Sequence, residues 1–233
     1  MTEPAKSASS AARGPKPKPG DPEVTDTTGT EPKSAPVVAA GPVAVHVDSG
    51  DVKVVVAPPG SRGFDRRLYR LINRLPHTTT SDRYVSVLSD LGEGLGWVAV
   101  GIGLAILGGP KGRRAGAATA VASLGATYVV QTRIKPIFRR VRPFVNREAR
   151  VVGIRPADHS FPSGHTASSF AAATALAFFY PRAAPLAYGL ATAVGASRVH
   201  LGVHFPSDAA VGGVMGIGIG TLSAWMFQKR GGR

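Results

Sequence analysis

The 233-residue chain contains no cysteine and only 14 acidic residues, half as many as its 28 lysines and arginines. Without cysteine it can form no disulfide framework, no thiolate metal site and no cysteine-based nucleophile. This absence does not identify the cellular compartment, because many exported proteins also lack cysteine. The shortage of carboxylates leaves a formal net charge of +14. A charge of this sign makes nucleic acid the first candidate partner to consider.

The positive charge lies entirely in the second part of the chain. Residues 1–62 hold seven basic and seven acidic residues, so the whole net charge of +14 belongs to the residues that follow. There the basic residues flank long apolar runs and are not interleaved with aromatic side chains. A surface that binds nucleic acid would be expected to combine the two. We therefore expect no nucleic-acid partner.

Residues 1–62 have the composition of a tail outside the folded domain. Residues 1–36 consist largely of proline, alanine, serine, threonine, glycine and lysine, and they include no aromatic residue. Such a segment cannot bury enough apolar surface to offset its ordering entropy, so we predict that it is disordered. No apolar stretch follows the first residue, so no signal peptide is expected. The alternating valines of residues 43–56 predict either a short β-hairpin or an extended coil.

Residues 63–233 carry the pattern of a membrane domain. Within 135 of these residues, five runs contain no aspartate, glutamate, lysine or arginine. A single run of this kind could be a buried helix, but five of them indicate five transmembrane helices. The runs are Gly94–Pro110, Ala115–Thr132, Thr166–Pro181, Ala183–Ser197 and Ala209–Gln228.

The predicted fold class is an all-α integral membrane bundle of about five transmembrane helices with one amphipathic helix in the membrane interface. The interfacial helix covers residues 64–75, where apolar residues share one face and four arginines lie mostly on the other. In the last run, glycines recur every four residues at Gly212, Gly216 and Gly220, which predicts close helix contacts. We expect these contacts inside one monomer, and the oligomeric state stays open.

Three polar clusters stand between these runs or at their ends: Lys135–Pro143, Ser160–His165 and Ser197–Asp208. The first cluster ends the second run, the second begins the third run, and the third joins the fourth run to the fifth. A chain that crosses a membrane five times places all three connections on one face. The clusters are therefore expected to form a single site.

The cations of these clusters suggest a site for an anion. Lys135, Arg142 and Arg198 would repel one another unless an anion lay among them, and the planar guanidinium fork suits phosphoryl oxygens. Ser163 and Gly164 open a helix, whose first backbone amides attract anions. Taken singly, the cations could instead be a positive membrane flank, and the Ser163-Gly164 pair an ordinary helix N-cap.

The histidines supply the reactivity that phosphoryl transfer needs. His204 can act as the nucleophile, because Asp208 can hold its other ring nitrogen and stabilise the ring as it becomes positive. His165 lies beside the predicted anion site and can protonate the leaving alkoxide. Supporting or interfacial positions, rather than direct roles, are expected for His159, His200 and Asp158.

Paired carboxylates for a metal-dependent phosphatase are missing from this part of the sequence. After Thr132 the acidic residues are Glu148, Asp158 and Asp208. Metal-bound phosphatase sites need carboxylates gathered in one place. We therefore predict a site without a metal ion and without any other cofactor.

Taken together, the motifs Lys-x6-Arg-Pro, Pro-Ser-Gly-His and Ser-Arg-x5-His-x3-Asp resemble the signature of the type 2 phosphatidic acid phosphatase family. Its superfamily also contains soluble vanadium haloperoxidases and bacterial acid phosphatases. The resemblance covers Lys135–Asp208 and fills every signature position. It implies an α-helical bundle, a phosphohistidine intermediate on His204 and a general acid at His165. It also implies that the phosphate is held by Lys135, Arg142, Ser163, Gly164 and Arg198.

The resemblance and the apolar runs together imply an integral membrane lipid phosphatase, a hydrolase of phosphoric esters or acid anhydrides. Its substrate would be phosphatidate, phosphatidylglycerol phosphate, or a prenyl phosphate or pyrophosphate, and its partners would be this lipid and the bilayer. Two alternatives are a non-catalytic membrane scaffold or lipid-binding protein, and a soluble-type acid phosphatase or haloperoxidase. The apolar runs disfavour the soluble types. Larger bacterial members of the family have six spans, whereas this sequence indicates five.

The expected location is a bacterial cell membrane, with the site on the cytoplasmic face. The polar tail and the arginines of residues 66–74 favour a cytoplasmic N-terminus by the positive-inside tendency. Five spans then leave the three clusters on that face. Against this assignment, a second set of cations would lie outside, at Lys111, Arg113, Arg114, Arg182, Lys229, Arg230 and Arg233.

Overall fold

The computed structural model describes residues 38–40, 43–48, 51–56, 62–146, 151–153 and 155–229. The tail over residues 1–36, which the composition predicts to be disordered, lies outside this range. So do Ser49 and Gly50, at the turn of the predicted hairpin.

Strands between residues 38 and 56 form an antiparallel sheet in the order β1, β2, β3. Val43 of the second strand pairs with Val56 of the third, which gives the alternating valines a hairpin register. The first strand pairs with the second through Val38 and Val45, and the valine pattern did not predict it. The all-α class thus applies to the residues from 62 onward. The strands are β1 (Val38–Ala40), β2 (Val43–Asp48) and β3 (Asp51–Val56).

From residue 62 onward the described chain is built of helices, as the apolar runs predict. A π-helical turn extends the fourth helix over Val130–Ile134, and short 3-10 turns cover Pro143–Asn146 and Pro181–Ala183. The described α-helices are α1 (Arg62–Asn73), α2 (Thr79–Leu91), α3 (Leu95–Leu107), α4 (Gly109–Val129), α5 (Gly164–Phe179), α6 (Ala184–His200) and α7 (Pro206–Lys229).

Helix α1 is amphipathic, as its sequence predicts, but it contacts the bundle through a different side. Phe64 and Leu71 of the apolar stripe are each 68% exposed, which suits a helix that turns this stripe toward lipid. Asp65, Tyr69 and Asn73 are buried instead, each one turn after the last. Tyr69 belongs to a buried apolar cluster, so apolar packing and polar groups together hold α1 on the bundle.

Helices α2 and α3 are separated by a bend of 60° at residues 92–94. Thr78 caps α2, because its hydroxyl accepts a hydrogen bond from the amide of Ser81 at 3.0 Å. Gly94 in the bend has a φ of +63°, a left-handed conformation that glycine adopts without steric cost. Residues 64–89 are divided between α1 and α2, so they form no continuous helix.

By length and composition, α7 can cross a membrane over Pro206–Gln228, and the bent pair of α2 and α3 meets the same test within the described chain. Helices α3, α5 and α6 have 13, 16 and 17 residues. At 1.5 Å per residue they reach about 20 to 26 Å, less than a hydrocarbon core of about 30 Å. The five apolar runs of the sequence fall on α3 to α7, one run to each helix.

Small residues let α5 and α7 approach until their backbones touch. A Cβ atom at Gly216 would lie 2.3 Å from the carbonyl oxygen of Ala167 on α5, and those at Gly212 and Gly220 would meet other carbonyl oxygens, just before and within α5, at 2.5 and 2.3 Å. The glycine spacing thus serves packing within one chain, as predicted. Because Gly212 lies one turn after Asp208, the contact also fixes the start of α7 against the start of α5.

Candidate active site

The three polar clusters of the sequence meet at one end of the bundle. Helices α4 and α6 end there, and α5 and α7 begin there. The amide of Ser163, before α5, donates to the carbonyl oxygen of Asp208, in the first turn of α7, at 3.0 Å. Arg142, beyond α4, has its Nη1 3.3 Å from Nε2 of His204, between α6 and α7. The alternation of helix directions therefore brings the candidate residues into one polar centre.

His204 lies in the tight connection between α6 and α7 and is 2% exposed. Its amide donates to the carbonyl oxygen of Arg198 at 3.3 Å. The guanidinium of Arg142 only donates hydrogen bonds, so Nε2 of His204, 3.3 Å away, bears a lone pair. The ring proton then lies on Nδ1, which faces Oδ2 of Asp208 at 3.6 Å. This is the tautomer that a nucleophilic Nε2 requires.

The charge of His204 is set by its surroundings. Burial lowers the pKa of His204 to about 4, against the opposing effect of the Asp208 carboxylate, so the ring is neutral at pH 7. Among the described residues, Nδ1 has no hydrogen-bond partner, and its 3.6 Å separation from Asp208 is longer than a hydrogen bond. A small rotation of the ring would close this gap as the ring becomes positive.

The carboxylate of Asp208 is held from several directions. Oδ2 accepts from the hydroxyl of Ser160 and from the amide of Phe205 at 2.8 Å. Oδ1 accepts from Nη1 of Arg140 at 2.6 Å. The carboxylate therefore stays beside His204. Ser160 and Arg140 belong to the polar clusters, but no role was predicted for either of them.

Arg140 also joins the site to α1, a link that the sequence analysis missed. Its Nη2 lies 2.5 Å from Oδ2 of Asp65, and its guanidinium lies over the ring of Phe205 at 4.1 Å. Asp65 also accepts from the amide and the hydroxyl of Ser207 at 3.0 and 2.6 Å. Asp65 and Arg140 are 75 residues apart. Because Arg140 stands beside Arg139, no local pattern distinguishes it.

Lys135 and Arg142 are paired with the carboxylate of Asp158. Oδ2 of Asp158 accepts from the Lys135 ammonium group, and Oδ1 lies 2.6 Å from Nη2 of Arg142. Partial burial would raise the pKa of Asp158, but the two cations lower it to about 2. Burial lowers the pKa of Lys135, and Asp158 partly offsets this effect. An anionic side chain of the protein thus lies between two of the predicted phosphate ligands.

Arg198, the third cation, keeps part of its guanidinium unpaired. The residue is 8% exposed, and its Nη1 donates to the hydroxyl of Ser89 on α2 at 2.6 Å. In the part of the chain that the structure describes, its Nε has no hydrogen-bond partner. A buried donor without an acceptor is costly, and a phosphoryl oxygen would satisfy it. Ser89 was not predicted, because it lies 109 residues from Arg198.

Ser163 and Gly164 begin α5 as predicted, although only part of the predicted amide site is available. Ser163 is the N-cap, and its hydroxyl accepts from that of Thr166 at 2.9 Å. Its own amide donates to the carbonyl oxygen of Asp208, so the expectation that this amide faces an anion is wrong. The amides of Gly164 and His165 follow in the first turn, where helix geometry provides no intrahelical acceptor.

His165 lies in the first turn of α5 next to these amides. Its side chain is 16% exposed, and its Nε2 lies 3.6 Å from Oε2 of Glu93, in the bend between α2 and α3. The neighbouring His165 lowers the pKa of Glu93, so this carboxylate is ionised at neutral pH. The bend is fixed on α5, because the amide of Gly94 donates to the hydroxyl of Ser168 at 3.2 Å. Glu93 belongs to none of the sequence motifs, so it was not predicted.

A buried, neutral histidine beside three cations and a second histidine is an arrangement that can move a phosphoryl group. This arrangement lies at one end of a bundle of antiparallel helices. The family model of the PAP2 superfamily matches residues 116–232. The chain belongs to this superfamily, and it is a phosphoric ester hydrolase.

Individual relatives agree with this assignment. The chain is 38% identical over 146 residues to decaprenylphosphoryl-5-phosphoribose phosphatase of Mycobacterium tuberculosis (strain CDC 1551 / Oshkosh). The aligned region covers 58% of this chain and 74% of that protein. The chain is 32% identical over 165 residues to undecaprenyl-diphosphatase of Sulfolobus acidocaldarius. This alignment covers 69% of this chain and 77% of that protein. The fold of this chain is similar to that of the transmembrane PAP2-type phosphatidylglycerolphosphate phosphatase of Bacillus subtilis, with a TM-score of 0.57 and 21% sequence identity. The superposition covers 72% of this chain and 86% of that structure.

Proposed function

We propose that this protein is an integral membrane lipid phosphatase that hydrolyses a phosphomonoester or pyrophosphate on a lipid through a phosphohistidine at His204. One observation carries the proposal. The neutral, buried His204 holds its Nε2 lone pair 3.3 Å from the guanidinium of Arg142. A phosphoryl group bound by that guanidinium would meet the lone pair in position for attack.

Substrate binding exchanges one anion for another. The phosphate of the lipid displaces the Asp158 carboxylate from Lys135 and Arg142, and one of its oxygens accepts from the unpaired Nε of Arg198. The amide of Gly164 at the start of α5 adds a donor and the positive end of a helix. These groups neutralise the phosphate without a metal ion.

The chemistry divides between two histidines. Nε2 of His204 attacks phosphorus while the bond from phosphorus to the lipid oxygen breaks, and His165 protonates that oxygen. Asp208 stabilises the positive ring of the phosphohistidine. His165, now neutral, takes a proton from a water molecule whose oxygen attacks phosphorus. The bond from nitrogen to phosphorus breaks, inorganic phosphate leaves, and His204 is neutral again.

The lipid part of the substrate has a place beside these residues. A largely apolar cavity of about 320 Å³ opens between α5, α6 and α7. Thr166, Val199 and Ala209 belong to its wall, and each directly follows a site residue in the chain. We propose that a hydrocarbon chain of the substrate binds in this cavity. The names of the two sequence relatives favour a polyprenyl phosphate or pyrophosphate over phosphatidate and phosphatidylglycerol phosphate.

Release of phosphate from a panel of these lipids by the purified chain, in the presence of EDTA, tests the activity. We expect turnover of a polyprenyl substrate, inhibition by orthovanadate and no loss of turnover in the chelator. His204→Asn, which keeps a donor toward Asp208 but removes the nucleophile, is expected to abolish turnover. Activity that is lost in EDTA and restored by Mg²⁺ would overturn the metal-independent scheme.

The proposal includes five spans, α3 to α7, in a bacterial cell membrane, with α1 in the interface and the site on the cytoplasmic face. Helix α1 is tied to the site through Asp65 and Arg140, and its exposed arginines favour the cytoplasmic side. Single cysteines can be placed on both sides of the bundle, by Arg155→Cys in the connection between α4 and α5 and by Arg182→Cys in the connection between α5 and α6. An impermeant thiol reagent on intact cells is expected to label position 182 and spare position 155, and the reverse pattern would overturn this topology.

A further inference from the structure

A second cluster of polar side chains lies where α1, α2 and α6 meet. It comprises His77 in the connection before α2, Asp82 in the first turn of α2 and His200 at the end of α6. One possible ligand atom from each residue lies within 4.8 Å of the other two. The side chains of His77, Asp82 and His200 are 4%, 13% and 12% exposed. The proposed phosphatase reaction uses none of them.

The hydrogen bonds of His77 identify the ring nitrogen that bears a lone pair. Its Nε2 lies 2.9 Å from the carbonyl oxygen of Asn73. A carbonyl oxygen only accepts, so Nε2 is the protonated nitrogen. In the neutral ring Nδ1 then bears a lone pair, although it lies 2.8 Å from Oδ1 of Asp82, which is also an acceptor. Two acceptors at this distance need a cation between them, either a second ring proton or a metal ion.

The ring of His200 lies beside the same carboxylate. Its Nε2 is buried, lacks a hydrogen-bond partner among the described residues and lies 3.5 Å from Oδ1 of Asp82. A second proton on His77 would satisfy the pair of His77 and Asp82 but would leave this nitrogen without a partner. A metal ion between the three residues would satisfy all of them.

The geometry points to a binding site for a divalent transition metal ion of the zinc class, with Nδ1 of His77, Oδ1 of Asp82 and Nε2 of His200 as ligands. Two imidazoles and a carboxylate suit Zn²⁺ or Co²⁺ better than Mg²⁺ or Ca²⁺, which prefer oxygen ligands. The bond from His77 to Asn73 is the kind of outer contact that orients a metal-bound imidazole. The two rings stack at 4.3 Å with an angle of 17°, so the ring of His200 turns when it binds the ion.

An ion at this position would tie the connection between α1 and α2 to the end of α6. Asn73 of α1 already donates to the carbonyl oxygen of His200 at 2.8 Å. Helix α2 also supplies Ser89, the partner of Arg198, and Arg198 lies two residues before His200. The ion would therefore stabilise one wall of the phosphate site without taking part in phosphoryl transfer.

Metal binding by the purified full chain in detergent tests this site independently of any activity. After treatment with EDTA and removal of the chelator, Co²⁺ serves as the spectroscopic probe and Zn²⁺ as the competitor. We expect one tightly bound Co²⁺ per chain, displacement by Zn²⁺, and a higher melting temperature in Zn²⁺ than in EDTA.

His200→Gln is the decisive variant, because it leaves the contacts of His77 with Asp82 and Asn73 in place. It is expected to weaken Co²⁺ binding at least tenfold and to remove the shift in melting temperature. Asp82→Asn removes a second ligand and should give the same loss. His159→Gln removes a histidine outside the cluster and should bind like the original chain.

Two results would overturn the metal site. Equal Co²⁺ binding by the original chain, His200→Gln and Asp82→Asn would mean that the ion is adventitious. No binding by the original chain would mean that His77 carries a second proton in place of a metal ion.

Discussion

The reactivity assigned to His204 follows from its burial and from a single contact. Burial disfavours the charged ring, and the neighbouring guanidinium of Arg142 repels it as well. The same guanidinium identifies Nε2 as the nitrogen with the lone pair. The proposed nucleophile and the proposed phosphate ligand are thus positioned together, so a substitution of either residue is expected to affect both functions.

The stability of the folded chain is expected to depend on pH through His204. The pKa of a histidine in an unfolded chain is about 6.5, whereas that of His204 in the folded chain is about 4. Below pH 6.5 the unfolded chain therefore binds a proton that the folded chain does not. The stability contributed by the neutral ring is complete above pH 6.5 and is lost as the pH falls toward 4, by about 3 kcal/mol in total.

Thermal unfolding at pH 7 and pH 4.5 measures this dependence. His204→Asn is the reference, because asparagine has no ring to protonate. Between pH 7 and pH 4.5, the melting temperature of His204→Asn should fall by several degrees less than that of the original chain. An equal fall in both proteins would contradict a buried neutral ring.

The leaving group decides how much His165 matters. A lipid alkoxide needs a proton in order to leave, whereas nitrophenolate leaves without one. His165→Ala is therefore expected to slow the first step, in which the leaving group departs, by roughly 10²- to 10⁴-fold for a lipid phosphate and far less for nitrophenyl phosphate, as measured in a single turnover. Glu93→Gln removes the carboxylate beside the ring of His165. It should slow the reaction of the lipid phosphate less than His165→Ala does, and again more than that of nitrophenyl phosphate. Equal losses in the rate of this first step on both substrates would show that His165 is not the acid.

Asp158 is expected to compete with the substrate for Lys135 and Arg142. In Asp158→Asn an entering anion no longer has to displace a carboxylate, so the inhibition constant of orthovanadate should fall several-fold. Asp158→Glu keeps the charge and serves as the control. If Asp158→Asn were inhibited more weakly than the control, Asp158 would hold the two cations in place and would not compete.

The residues within each linear motif could be predicted from the sequence, but their partners could not. His204 and Asp208 are separated by one helical turn, and this spacing is visible in the chain. Ser89, Glu93 and Arg140 act on residues of other helices, so only tertiary packing brings them to the site. A lone serine or glutamate carries no signal of such a contact.

At the scale of the elements, the way in which a helix ends decides where a functional side chain lies. Helix α4 ends in a π-helical turn, Val130–Ile134, where the amide of Lys135 donates to the carbonyl oxygen of Val130 at 2.9 Å. The additional residue in this turn changes the side of the helix on which Lys135 lies. Such turns often occur at functional sites. The residues of this turn would also fit an α-helix, so the sequence did not predict it.

The contact between α5 and α7 can be tested with two glycines of one helix. At Gly216 a Cβ atom would lie 2.3 Å from the carbonyl oxygen of Ala167, whereas at Gly218 it would meet nothing within 4 Å. Gly216→Ala must move α7 away from α5, so it is expected to lower both melting temperature and turnover. Gly218→Ala should leave both unchanged or raise the melting temperature slightly. Equal behaviour of the two variants would contradict this packing.

At the scale of the whole molecule, alternating helix directions bring segments that are distant in sequence to one end of the bundle. The charge-free runs predicted this arrangement, because their number and order are visible in the composition. The position of α2 was not predicted. This helix meets the end of α6 twice, with Asp82 3.5 Å from His200 and Ser89 2.6 Å from Arg198. Such contacts between remote helices leave no periodic pattern in the sequence.

The central claim is that His204 becomes phosphorylated, and trapping of the intermediate tests it most directly. His165→Ala is the suitable protein, because with nitrophenyl phosphate its first step should proceed while attack by water is slow. The reaction is quenched in alkali, in which phosphohistidine survives, and the digested chain is analysed by mass spectrometry. We expect a phosphorylated peptide that contains His204 in His165→Ala, and no phosphorylated peptide in the double variant that also carries His204→Asn. Phosphate on another residue, or turnover by His204→Asn at the original rate, would contradict it.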